Sequence, residues 1–157
     1  MKTAQLARTL VALALSLSVS AVAYARTEVC KDTSEAEIAG LFERWNQSLQ
    51  SGDPVKVVDN YAEHSMLLAT VSNQPRVSVA EKIDYFAHFL PKKPVGSVDP
   101  GTRMIEIDCN SAFDTGLYSF KLGDGSTLHA RYTFTYKWDG TAWLITSHHS
   151  SFMPQRN

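Results

Sequence analysis

Leu128-His129-Ala130-Arg131-Tyr132-Thr133-Phe134-Thr135-Tyr136-Lys137-Trp138, then Asp139-Gly140, then Trp143-Leu144-Ile145-Thr146-Ser147-His148-His149-Ser150-Ser151, is the stretch that decides the fold. Aromatic and β-branched residues alternate with polar ones at a period of two, and Asp139-Gly140 supplies a tight turn between the runs. Two strands of an antiparallel hairpin follow from that pattern. In the first strand the alternation puts Arg131, Thr133 and Thr135 on one face and Tyr132, Phe134 and Tyr136 on the other. Upstream, Met104 to Cys109 and Phe113 to Leu122 carry the same period. Asn110-Ser111 and Gly123-Asp124-Gly125 provide the turns. Together these runs read as a four-stranded antiparallel meander.

Ahead of the meander the period changes to that of a helix. Ser34-Glu35-Ala36-Glu37 has the form of a capping box, and Ile38, Leu41, Phe42, Trp45 and Leu49 then make one apolar stripe ending at Gly52. Asp53-Pro54 offers a cap and a first-turn proline for a short second helix running through Tyr61. Ser65 to Thr70 is strand-like. Ser78-Val79-Ala80-Glu81 opens a third helix bearing Ile83, Phe86, Ala87 and Leu90, stopped by Pro91 and Pro94. Helices first and strands after predict an α+β domain in which three N-terminal helices pack in a curved antiparallel sheet. The expected shape is a cone: the sheet wraps the long helix and leaves a pocket open at one end.

The N-terminus has the three parts of a secretory signal peptide, over residues 1–25. Lys2 and Arg8 give the positive region, Leu10 to Val22 the apolar run, and Ala23-Tyr24-Ala25 the small residues read before cleavage at Arg26. The apolar run is too short for a permanent span, which needs about 20 residues. The protein is therefore expected in the periplasm or outside the cell, free of the membrane after cleavage. Of 15 Lys+Arg and 16 Asp+Glu, Lys2 and Arg8 leave with the signal, so residues 26–157 keep 13 basic against 16 acidic side chains, a net −3. Such a surface is a poor match for nucleic acid.

Both cysteines, Cys30 and Cys109, fall in the exported part. An oxidising compartment favours a disulfide between them, which would close a loop of about 80 residues and contribute ~4 kcal/mol. Two buried thiols are the other reading. The five histidines are scattered and no cysteine lies near them, so no metal site is expected.

No nucleophile elbow, phosphate-cradling glycine loop or zinc-protease motif is present. The candidates for chemistry are single residues. Arg131 sits mid-strand among aromatics and is costly to bury unpaired, so a carboxylate or a ligand anion is a fitting partner. His148 and His149 are adjacent on a strand and point to opposite faces unless a bulge intervenes, so one of them reaches the pocket. Either has a side-chain pKa suited to acid–base work. Asp114 is a possible partner for a pocket histidine or arginine, while Tyr118 and Tyr61 bring phenols toward the cavity.

Several of these segments resemble a known family. Trp45, Leu49 and Gly52-Asp53, then Tyr85-Phe86, then Ala130 to Phe134, Asp139-Gly140 with Trp143 and Ile145, and His148 to Pro154 are similar to the association (hub) domain of calcium/calmodulin-dependent protein kinase II. The nearest likeness is to its stand-alone bacterial forms. That domain belongs to the nuclear transport factor 2-like superfamily, with the SnoaL-like cyclases and ketosteroid isomerases. The similarity spans roughly residues 33–154. It implies a cone fold, assembly through the sheet and a deep polar pocket, with no kinase activity and no cofactor. Three arginine positions of the hub pocket fall on Tyr118, Thr133 and Ser150, and Arg131 is placed to replace one charge, so the pocket is expected to be less basic.

Two functional expectations follow. The first is an exported, non-catalytic module, a homodimer or higher oligomer. It would bind a small organic ligand among Arg131, Thr133, Tyr118, His148, His149, Ser150, Trp45 and Tyr61. The second is a small SnoaL-like or ketosteroid-isomerase-like enzyme, with His149 or Asp114 as base and Tyr118 as hydrogen-bond donor to an enolate.

Overall fold

The computed structural model describes residues 28–154, so the signal segment expected over residues 1–25 lies outside the described residues. The first helix, α1, spans Glu35–Gln50. Ser34 caps it by accepting from the Glu37 N–H at 3.2 Å. Only this half of the expected capping box forms there, because the Glu37 carboxylate accepts from the Thr33 hydroxyl instead, at 2.7 Å. The full reciprocal box forms at Ser78 and Glu81 and opens α3, Val79–Phe89. Between them lies α2, Pro54–Val58, with Asp53 as its cap.

The short helix stops earlier than the sequence suggests. The Asn60 side-chain amide donates to the Lys56 and Val57 carbonyls, and the Asn60 carbonyl accepts from the Ile145 N–H at 2.8 Å. The chain is thereby captured by the sheet, and Tyr61 opens strand β1, Tyr61–Leu68, instead of closing the helix.

The remaining strands are β2 (Val95–Val98), β3 (Met104–Ile107), β4 (Ser111–Lys121), β5 (Thr127–Trp138) and β6 (Trp143–Phe152). Their order is β1-β6-β5-β4-β2, and β3 pairs with the first half of β4. The meander is antiparallel as expected, but β1 joins β6 in parallel. β2 is not marked by the sequence. Its Val-Gly-Ser-Val is too short and too weakly alternating to stand out, and it exists through its pairing with β4.

The free side of β2 is held by α1. The Asn46 side chain accepts from the Gly96 N–H at 2.7 Å and donates to the Gly96 carbonyl at 2.9 Å, completing the ladder as another strand would. Asn46→Ala leaves both buried groups of Gly96 unpaired, and stability is expected to fall by about 1–3 kcal/mol. Urea denaturation of the variant measures this directly, and an unchanged midpoint would show that water replaces the amide without cost.

The sheet curls around the apolar stripe of α1. Phe42 meets Tyr118, Tyr132 and Phe134 with ring centroids 6.2–6.3 Å apart, and Trp45 meets Phe86, Phe120 and Phe134. β4 changes partner from β3 to β2 at Gly116, where the connection from Asp99 to Arg103 crosses close above the strand. A Cβ at Gly116 would stand 2.9 Å from the Thr102 carbonyl oxygen, so only glycine fits.

A second irregularity sets the inner surface. Thr135 pairs with Ser147 but Tyr136 pairs with Ile145, leaving Thr146 as an extra residue on β6. The bulge inverts the phase of the strand. Trp143 and Ile145 face inward before it, and His148 and Ser150 face inward after it, while His149 points out.

Candidate functional site

Aromatic side chains fill most of the cone, leaving a cavity of about 30 Å³, room for about one or two water-sized groups. The deep polar pocket expected from the sequence is therefore a small and mainly apolar one. Trp45 comes from α1, Tyr85, Phe86 and Phe89 from α3, Tyr118 and Phe120 from β4, and Leu128 and Ala130 from β5. Leu67 and the residues after β1, Ala69 to Val71, complete one wall. Polar character comes from Thr70, Tyr118, His148 and Ser150.

His148 is held by two aromatic rings and at one nitrogen. Phe134 stacks on the imidazole with centroids 4.0 Å apart, and Trp45 meets it edge-on at 5.2 Å. Tyr61 Oη lies 2.8 Å from His148 Nδ1. Burial pushes the Tyr61 phenol well above its ordinary pKa, the Trp45 N–H beside it offsetting part of that rise. The phenol therefore keeps its proton, and which of the two groups donates in this contact is set by the imidazole tautomer. His148 Nε2 has no protein partner.

Burial, with a smaller contribution from neighbouring His149, holds His148 down at about 3. Its unfolded value is near 6.5, so between about pH 6.5 and 3 the unfolded chain binds a proton that the folded chain refuses. The sign is fixed: stability falls as pH falls through this window, by up to about 1.4 kcal/mol per pH unit. His148→Gln keeps a polar group beside Tyr61 without a titrating ring, and is expected to flatten that slope. Chemical denaturation of both proteins at neutral and mildly acidic pH makes the comparison; parallel slopes would assign the acid sensitivity elsewhere.

Farther along the wall the Tyr118 phenol, kept protonated by burial, donates to Ser150 Oγ at 2.5 Å. Ser150 Oγ is in turn in hydrogen-bond contact with Thr70 Oγ1.

Asp114 belongs to a separate cluster. It is fully buried, and Arg103 reaches it through Nε at 3.1 Å and Nη2 at 2.5 Å, while the Tyr132 hydroxyl donates at 2.7 Å. Arg103 Nη2 also donates to the Ala39 carbonyl at 3.0 Å, so the pair ties α1 to the sheet. A carboxylate that accepts three hydrogen bonds from a guanidinium and a phenol is not free to take a proton from a ligand.

The match of the whole described domain to known proteins bears on these clusters. The family model of the calcium/calmodulin dependent protein kinase II association domain matches residues 34–154. This chain belongs to that family. A solved association-domain protein from Xanthomonas campestris is 44% identical, with 80% of this chain and 91% of that chain covered and a TM-score of 0.74. More distant likenesses share the fold. An NTF2-like protein of unknown function from Pseudomonas putida is 18% identical with a TM-score of 0.65, covering 78% of this chain and 88% of that one. An NTF2-like protein with a cystatin-like fold from Novosphingobium aromaticivorans is 13% identical with a TM-score of 0.63, covering 77% and 82%. No curated protein matches the chain.

Within this association domain the predicted site residues separate into two groups. Trp45, Tyr118, His148 and Ser150 line one cavity, and Tyr61 stands behind His148. Arg131, Thr133 and His149 do not. All three lie on the outer face of the sheet, where Arg131 donates to the Phe152 carbonyl at 3.3 Å and Thr133 meets Thr115 at 2.8 Å. The alternation that separates Arg131 from Tyr132 was legible in the sequence; the face that turns inward is the aromatic one, because it is the one the α1 stripe can bury. Sequence reasoning missed Thr70, Arg103 and Asn46. Arg103, directly preceding the β3 run, went unremarked there, because nothing in the local pattern ties it to Asp114 eleven residues on.

Cys30 and Cys109 form a disulfide. No helix among the described residues is long and apolar enough to cross a membrane.

Proposed function

We propose that this association domain is an exported, non-catalytic module that self-assembles through the outer face of its sheet and holds a small ligand in its cavity. The observation that carries the reading is the composition of that outer face. Across β4, β5 and β6 it presents Thr115, Leu117, Thr133, Thr135, Leu144 and Thr146, together with Arg131, Lys137 and His149 and without a single carboxylate. Thr115 pairs with Thr133 and Thr135 with Thr146, each at 2.8 Å, so the hydroxyls satisfy one another within the sheet. The threonine and leucine patch of this face loses little solvation when a second copy covers it, while Arg131 and Lys137 are best kept at its solvated rim. The family's description as an association domain supports the same occupant. The disulfide, together with the N-terminal signal pattern, supports export.

Catalysis is disfavoured by position. Asp114 is engaged by Arg103 and Tyr132, His149 faces outward, and His148 is held neutral by burial with its Nδ1 hydrogen-bonded to Tyr61. No acid–base pair of the isomerase type converges on the cavity.

Light scattering on purified residues 26–157 at tens of micromolar is expected to give a dimer or larger assembly. Thr133→Glu combined with Thr135→Glu places like charges on the outer face and is expected to yield monomers with an unchanged circular dichroism spectrum. A wild-type protein that stays monomeric at that concentration overturns the assembly reading. For export, mass spectrometry of the secreted or periplasmic product is expected to find Arg26 as the first residue.

A further inference from the structure

The outer face of the sheet carries a titratable group beside its threonine patch. His149 is the one exposed residue between Trp143 and Ser151 on β6. Its cross-strand neighbours are Thr133 on β5 and Leu68 on β1, and Thr133 in turn faces Thr115 on β4. A second copy seated on the threonines therefore covers the imidazole as well.

The charges around His149 are of one sign. Along β6 its outward neighbours are Ser147 and Ser151, and on β1 they are Met66 and Leu68, none of them charged. On β5, Arg131 pairs with Ser151 and so lies diagonal to His149, about 7–8 Å away on a pleated sheet. Its guanidinium donates to the Phe152 carbonyl at 3.3 Å, which holds the positive charge on the β6 side. Lys137 and His129 stand farther off, at either end of β5. On β1, His64 and Glu63 precede Leu68 by more than about 10 Å of strand. The outward carboxylate of Glu106, opposite Phe113 on β3, is three strands away, about 14 Å and beyond the screening length of physiological salt.

Histidine is the side chain that ordinarily gains its charge between about pH 8 and 5. A neutral imidazole is covered at the cost of a polar group, whereas an imidazolium covered without a counter-charge, beside an arginine, costs far more. A twofold contact uses the same patch of both subunits, so it carries this residue twice. Resting on the self-assembly reading above, we infer that His149 is a pH sensor on the association face: copies associate while its imidazole is neutral and separate as it takes up a proton.

Light scattering over a dilution series of the intact mature protein, at about pH 7.5 and about pH 5.5 and constant ionic strength, reads the dissociation constant at each pH. The wild type is expected to dissociate at least about tenfold more readily in acid, and two linked protons per symmetric contact set a ceiling of about a hundredfold per pH unit. His149→Gln is expected to associate alike at both pH values. That variant keeps His148, so an acid loss of the fold would weaken it too, and circular dichroism follows the fold of both proteins. His149→Lys, with its fixed charge, is expected to associate weakly at both. His129→Gln is expected to keep the wild-type response. Equal association of the wild type at both pH values, tighter association in acid, or a response that survives in His149→Gln would overturn the sensor and leave self-assembly in place. A wild type that is monomeric at neutral pH and tens of micromolar would remove the assembly reading and the sensor with it.

Discussion

Asp114→Ala is expected to lower folding stability by about 3–5 kcal/mol, because it leaves the Arg103 guanidinium beneath the sheet without its counter-charge. Asp114 has no exposed surface, and the side chain of Arg103 is only 18% exposed, so water cannot replace the carboxylate freely. A loss of that size is a large share of the roughly 5–15 kcal/mol that stabilises an ordinary domain. It also reaches beyond the pair, since Arg103 fastens the Ala39 carbonyl of α1 to the β3–β4 edge. Denaturant titration measures the effect, and a double change separates its causes. Asp114→Leu with Arg103→Met removes both charges and is expected to recover a substantial part of the loss. Tyr132→Phe removes a single hydrogen bond to the same carboxylate and is expected to cost about 1 kcal/mol. If Asp114→Ala proved as mild as Tyr132→Phe, the ion pair would not be the tie between helix and sheet.

Opening the disulfide is expected to have a comparable effect through the unfolded chain. Cys30 and Cys109 are 79 residues apart, and closing a loop of that length stabilises by about 4 kcal/mol in the chain-entropy model. Local contacts hold the same segment in place. The Lys31 N–H donates to the Cys109 carbonyl at 3.2 Å and to Asn110 Oδ1 at 3.0 Å, and the Asn110 amide donates to the Val29 carbonyl at 3.1 Å. Those bonds remain possible after reduction, so the folded state keeps its shape while the unfolded state gains freedom. Urea unfolding with and without reductant reads the difference. The Cys30→Ser, Cys109→Ser double variant is expected to match the reduced wild type and to be indifferent to reductant. A wild-type midpoint that does not move on reduction would place the stabilisation elsewhere.

Four strands of the meander and the three helices were legible because each depends on a local rule. Period-two alternation over Leu128–Trp138 assigns its two faces, and the caps at Ser34, Asp53 and Ser78 fix three helix starts within a turn. The strand β2 obeys no local rule: it is formed by β4 on one side and Asn46 on the other. Tyr61 was read as helical for the same reason. Its strand identity comes from a parallel partner that lies more than eighty residues downstream.

The amino-acid sequence by itself determined the family, the order of helices and meander strands, and the separation of Arg131 and Thr133 from Tyr132 and Phe134 on β5; burial against α1 decided that the aromatic face turns inward and the Arg131 face outward. Tertiary structure alone decided which histidine reaches the cavity and which residue neutralises Asp114. One extra residue, Thr146, shifts the phase of β6 and turns His148 inward and His149 outward. A phase shift of this kind depends on registry with β5, and a buried charge finds its partner across the fold. Both are contacts between distant parts of the chain, and local pattern carries no record of them.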